Sequence, residues 1–126
     1  MNTHRGTLLE SLQHAFAGSW HSWKTQRNVR IHVAIAIVVV ILGLALELQP
    51  GQWAVIILTI GFVIVSELFN TVVESLVDLV TAEHNALAKQ AKDVAAGAVL
   101  TSAIVAVAVG LLVLGPPLLT RLGWRP

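Results

Sequence analysis

The chain has 126 residues, 56% of them hydrophobic and 12% charged, and eight Lys and Arg against seven Asp and Glu give a net charge of +1. Soluble domains carry about 25% charged residues, and a chain with room for one domain cannot bury this much apolar sequence in its own interior. The small net charge excludes a nucleic-acid partner held by electrostatics. The lack of cysteine excludes disulfides, thiolate metal sites and cysteine nucleophiles.

Residues 7–24 contain no long apolar run, yet Leu8, Leu9, Leu12, Phe16, Trp20 and Trp23 fall on one side of a helix. Glu10, Gln13, His14 and Lys24 fall on the other. That pattern predicts an amphipathic helix lying in the membrane interface with its tryptophans at headgroup depth. The alternative is a helix folded back on the rest of the chain. Gly18 and Ser19 lower its helix propensity and allow a bend.

Three long apolar stretches follow, at about 29–48, 53–80 and 93–115. Each reaches the ~20 residues that span a bilayer, and from Val94 to about Leu114 the third carries no charge. No small-residue cleavage site stands out after the first, so no cleaved signal peptide is expected. Pro50-Gly51 marks a tight turn between the first two spans, and Trp53 just beyond it suits the outer interface. Hydrophobicity breaks again around Thr81–Ala86. The last helix is expected to start near Lys89–Asp93 and to end before Pro116-Pro117. Along it Ala98, Ser102, Ala106 and Gly110 recur every four residues, a stripe that permits close helix packing. The tail with Trp124 is expected to rest at the outer surface. The fold class is all-α integral membrane, a surface helix plus three transmembrane helices in a single domain over 1–126.

Lys and Arg near the helix ends set the orientation. The N-terminal segment carries Arg5, Lys24, Arg27 and Arg30, residues 47–52 carry no Lys or Arg, and Lys89 and Lys92 follow the second span. The N-terminus and second loop are therefore expected in the cytoplasm and the first loop outside, with Arg121 and Arg125 slightly against the rule.

The second span ends in Glu67, Asn70, Thr71, Glu74 and Asp78. At about 100° per residue, the four other than Asn70 fall within a sector of roughly 60°, and Asn70 lies beside them. Three acids on one face of an apolar helix require a cation, a metal ion or water. Orientation puts this face at the cytoplasmic end, where nucleotides are. Glu67, the deepest, suits a general base for an alcohol. Glu74 can hold Mg²⁺, a hard ion that prefers oxygen ligands. Asn70 can orient either group. Asp78 is either part of the site or simply solvated, and a buried ion pair is the plain alternative for Glu67 and Glu74. Lys92 can neutralise phosphate oxygens, whereas Asp93 is alternatively a favourable anion in a helix's first turn. No glycine-rich phosphate loop is present. His4, His14, His21 and His32 share no metal-binding spacing and read as interfacial residues.

The run Glu67-Leu-Phe-Asn70-Thr71-Val-Val-Glu74-Ser-Leu-Val-Asp78, followed by His84 and by Ala91-Lys92-Asp93, closely resembles the prokaryotic diacylglycerol kinase family, which includes undecaprenol kinases. Arg27-Asn28-Val29-Arg30-Ile31-His32 also resembles that family's lead into its first span. The resemblance implies a homotrimer of three-span subunits in the bacterial cytoplasmic membrane, with active sites shared between neighbours. It implies Mg-ATP-dependent phosphorylation of a lipid alcohol, diacylglycerol or undecaprenol, at the cytoplasmic face. By position it makes Glu67 the catalytic base with Asn70 beside it, and Glu74 a metal ligand. It places Glu83, His84 and Asn85 in a nucleotide-contacting loop and makes Lys92 and Asp93 its nucleotide-binding pair. The family's second acidic metal ligand is replaced by Gln26, which offers a carbonyl oxygen without charge. The family's arginine near the start of its N-terminal helix is not clearly matched, since Thr7 falls there and Arg5 lies two residues away. A rival class, a proton- or cation-conducting oligomer, would want acids across the full membrane depth, and residues 53–65 supply none.

Overall fold

The structure, a computed structural model, describes residues 6–124. Arg5, Arg125 and His4, used or weighed above, lie outside the described residues. Those described form four helices and no strand: α1 Leu8–Thr25, α2 Arg27–Ala45, α3 Pro50–Val80 and α4 Ala86–Arg121. The last three are long and apolar enough to cross a membrane.

Local chemistry explains each boundary. Thr7 and Glu10 form a capping box that opens α1, with the Thr7 N–H donating to Glu10 Oε2 at 2.8 Å. The apolar face of α1 is not folded back on the spans. Leu8, Leu9, Phe16 and Trp20 are all exposed, and buried Ser22 marks the packed side. This is the arrangement an interfacial helix requires. Lys24 caps the aromatic end, its Nζ 5.2 Å from the Trp20 ring centre.

The turn between α2 and α3 is a Schellman closure. Leu48 N donates to Gly43 O and Glu47 N to Leu44 O, both at 3.2 Å. Glu47 takes the left-handed position at φ 55, a place usually given to glycine. Leu48 folds back into a small core with Ile56 and Leu114, which ties the end of α2 to the start of α3 and the far end of α4. Trp53 packs into this core. A Cβ built on Gly43 would stand only 2.8 Å from Trp53 Cη2, so the indole depends on the missing side chain. The expected interfacial belt position for Trp53 is thus a packed one, because the hairpin is too tight to leave its ring free.

The last helix departs from expectation at both ends. It begins at Ala86, where Asn85 Oδ1 accepts from Leu87 N at 2.8 Å and Ala88 N at 3.3 Å. It also continues through Pro116 and Pro117 to Arg121 instead of stopping before them. The two prolines delete the N–H groups that would bond Leu112 and Val113. Ending the helix in an apolar setting would expose many more backbone groups, so two lost bonds are the smaller penalty. A second Schellman closure at Gly123, φ 87, ends it, with Trp124 N bonded to Leu119 O at 3.0 Å.

α3 and α4 are the most extensively packed pair, with Ser102 of the small-residue stripe fully buried between helices. α2 packs on α3, α1 touches both α2 and α3, and α2 scarcely meets α4. A groove of about 440 Å³ therefore remains open between α2 and α4, with His32 at one end. Along the helices Ile37, Leu58, Leu111 and Leu112 are exposed, a belt that matches lipid or other apolar neighbours. At about 1.5 Å per residue, the 31 residues of α3 and 36 of α4 far exceed a ~30 Å hydrocarbon core. Part of each helix therefore extends beyond such a core, and the polar residues of α3 and α4 gather towards their joined end.

Candidate active site

Glu67 is the one buried acid among the described residues, at 2% exposure. Its helix gives its carboxylate no donor: Thr71 Oγ1 bonds the Glu67 backbone carbonyl at 3.0 Å, and the Asn70 amide turns to Glu74. The polar group that reaches the carboxylate comes from α2. His32 Nε2 lies 3.1 Å from Glu67 Oε1. That distance is an ion-pair contact, but the atoms are not in hydrogen-bonding geometry and Oε1 has no hydrogen-bond donor. A small rotation of the imidazole ring separates this contact from a hydrogen bond.

Reading His32 as a bland interfacial residue is therefore overturned. The sequence showed the need for a partner but not the pairing. A deep acid needs a polar partner from another helix, and His32 is the only ionisable residue of α2 beyond Arg30.

Two turns towards the polar end, Asn70 Nδ2 donates to Glu74 Oε1 at 3.0 Å. Asn70 Oδ1 is buried without a partner, so the amide orients Glu74 and leaves an acceptor free. Asn70 also borders a depression of about 850 Å³ between α3 and α4 whose other walls are mostly apolar. One turn further, Asp78 Oδ1 lies 2.5 Å from Lys92 Nζ of α4. Asp78 thus has a specific partner as well as solvent. Lys89 pairs with Asp93 one turn away on the same helix. Because α4 starts at Ala86, Asp93 lies beyond the first turn, and the helix-dipole alternative for it is withdrawn.

The proposed nucleotide-contacting residues converge. Glu83, His84, Asn85, Lys92 and Asp93 line a single cleft of about 770 Å³ where α3 gives way to α4, together with Asp78. Glu83 N is held by Thr81 Oγ1 at 3.2 Å, and the Asn85 side-chain oxygen is already engaged in capping α4. Glu83, His84 and Asn85 are all exposed.

Gln26 stands apart from this cleft, half-buried at the break between α1 and α2. Its side chain does not cap α2. Among the described residues no three of His, Cys, Asp and Glu gather as a ligand set. That donor set does not form a closed cage, but it fits Mg²⁺, which keeps several waters and takes one or two carboxylates plus substrate phosphates. Glu74, oriented by Asn70, is the carboxylate here that could hold such an ion.

Comparison with known proteins gives a consistent result. The family model described as prokaryotic diacylglycerol kinase matches residues 13–114. An undecaprenol kinase of Bacillus subtilis is 43% identical over 118 residues, covering 91% of this chain and 96% of the relative. A diacylglycerol kinase of Synechocystis sp. is 46% identical over 114 residues, covering 90% of this chain and 65% of that relative.

Proposed function

The chain belongs to the prokaryotic diacylglycerol kinase family, and on that premise we propose that it transfers the γ-phosphoryl group of ATP to the hydroxyl of a membrane lipid alcohol. Undecaprenol is the favoured acceptor and diacylglycerol the second. The near end-to-end match to the undecaprenol kinase supports that order, since only 65% of the diacylglycerol kinase is covered. The observation that carries the reading is that α3 holds a buried carboxylate, Glu67, and at its far end shares with α4 a lysine-lined polar cleft. The site lies on the cytoplasmic face of the bacterial inner membrane, with the N-terminus on the same side. The functional unit is a homotrimer with shared sites, which the open grooves flanking α4 support.

The acceptor hydroxyl loses its proton to Glu67 as its oxygen bonds the γ-phosphorus and the bond to the leaving ADP oxygen breaks. Such transfer depends mainly on position and charge. Lys92, already turned across the cleft by Asp78, neutralises phosphate oxygens. Glu83, His84 and Asp93 line the nucleotide's side, and Asn70 orients Glu74. Glu74, with the carbonyl of Gln26 as a weaker second donor, would hold Mg²⁺, which when bound neutralises charge on the β- and γ-oxygens.

Purified protein in mixed micelles with labelled ATP and each lipid alcohol in turn provides the test. Lipid-dependent transfer, with undecaprenol outcompeting diacylglycerol, is the expected result. Ion flux without transfer would replace this reading with the conducting oligomer.

A further inference from the structure

We propose that His32 is the positioning residue for Glu67, so that the catalytic base works as a carboxylate–imidazole pair built across α2 and α3. The inference rests on Glu67 being the base. Three observations carry it. The Glu67 carboxylate is removed from solvent, and α3 directs both the Thr71 hydroxyl and the Asn70 amide elsewhere. A carboxylate in such surroundings requires a compensating partner from outside its helix. His32 Nε2, at 3.1 Å, is the cation-capable group that reaches it among the described residues, and no Lys or Arg does.

The second observation is placement. The His32 side chain is 19% exposed while that of Glu67 is 3% exposed. The imidazole therefore bridges the buried acid and the open groove between α2 and α4. The third is that Oε1 faces the imidazole without a locked hydrogen bond. His32 can swing into line when the second carboxylate oxygen engages a hydroxyl, because apo contacts of this kind tighten as the reacting complex forms. A carboxylate fixed at one oxygen has its other oxygen aimed. Without that restraint the side chain samples other rotamers, and misplacement of a reacting group by about 1 Å costs on the order of 10²-fold in rate.

The test compares His32→Met, similar in length but without a donor, with His32→Gln, whose amide carries a donor to about the same reach. Nucleotide affinity reports folding, and kcat and KM for the lipid alcohol report the chemistry. His32→Met is expected to lower kcat about 100-fold with nucleotide affinity and lipid KM unchanged, and His32→Gln to restore most of that loss. Should His32→Met fail to bind nucleotide, His32→Gln alone decides. A rate near wild type supports the pair, and a rate as low as that of Glu67→Gln overturns it. The parallel variant Glu67→Gln separates the two readings. If it turns over normally, the base assignment itself fails. If it is inactive while His32→Met keeps the wild-type kcat, Glu67 stands as base and the role of His32 is refuted.

Discussion

Asp78 near the end of α3 and Lys92 near the start of α4 meet at 2.5 Å, fourteen residues apart in sequence and across the cleft that the two helices share. The pair joins the two helices where the polar face of α3 leaves the apolar belt. Both partners are well exposed, Asp78 at 67% and Lys92 at 40%, so their attraction adds at most about 1 kcal/mol to stability. Its value lies in where it holds the ammonium group.

Lys92→Ala should therefore separate binding from folding. Loss of one charge-assisted contact to phosphate, about 1.5–3 kcal/mol, weakens nucleotide binding by roughly tenfold to a hundredfold. The melting temperature in detergent should move by no more than a few degrees. Asp78→Asn should weaken nucleotide binding less, since the lysine remains and only its alignment is lost. Titration with a non-hydrolysable ATP analogue beside thermal unfolding checks both. Unfolding of Lys92→Ala with unchanged nucleotide affinity would reverse the assignment.

Much of this arrangement was legible in the sequence because it depends on spacing within one helix. The 100° rule places Glu67, Glu74 and Asp78 on one face whatever surrounds them, and the structure keeps them on one helix with Asn70 bonded to Glu74. The spans were legible from length and hydropathy for the same reason. What the sequence hid is what depends on two helices at once. The Asp78–Lys92 and His32–Glu67 contacts need the relative rotation of helices, which no periodicity encodes. Continuation through Pro116-Pro117 was hidden for another reason. Proline is a helix breaker where water can take up the freed backbone groups, and in an apolar setting that alternative is missing.

Gly43→Ala should destabilise the hairpin between α2 and α3. Its Cβ would meet Trp53 Cη2 at 2.8 Å and Leu48 Cδ1 at 3.0 Å, inside the small core that includes Ile56 and Leu114. Overpacking of this kind costs about 1–3 kcal/mol. The loss should appear in thermal unfolding and as reduced tryptophan burial, with the polar cleft at the opposite end of α3 and α4 unaffected. A variant as stable as the parent would mean that the indole swings away freely.

Glu47→Gly should do the opposite. Glu47 sits at φ 55, where an L side chain is disfavoured by about 1–2 kcal/mol and glycine is not. The contact given up is with Arg121 Nη2 at 4.0 Å between exposed side chains, which contributes little. Glycine's greater freedom in the unfolded chain offsets part of the gain. A net increase of about 0.5–1 kcal/mol is expected, read as a higher melting temperature with unchanged kinase activity. A lower melting temperature would show that the Arg121 contact outweighs the backbone strain.

Gln26→Glu tests the metal side of the site. Gln26 lies at the α1–α2 break, half-buried and without a capping bond. As an amide it offers Mg²⁺ a neutral oxygen, and Glu74 is left as the sole acidic donor of the proposed pair. A carboxylate adds charge attraction on the order of 1 kcal/mol at a partly exposed position, which is about fivefold in binding. The Mg²⁺ concentration for half-maximal activity should fall by about that factor at fixed ATP. A negative charge at the start of α2 also favours that helix, so a modest rise in melting temperature should accompany it. The two effects are separable, because the helix effect persists when chelator removes the metal and the activity effect does not. If the Mg²⁺ requirement stays unchanged while the stability rises, Gln26 is a helix-entry residue only, and Glu74 holds the ion together with the phosphates alone.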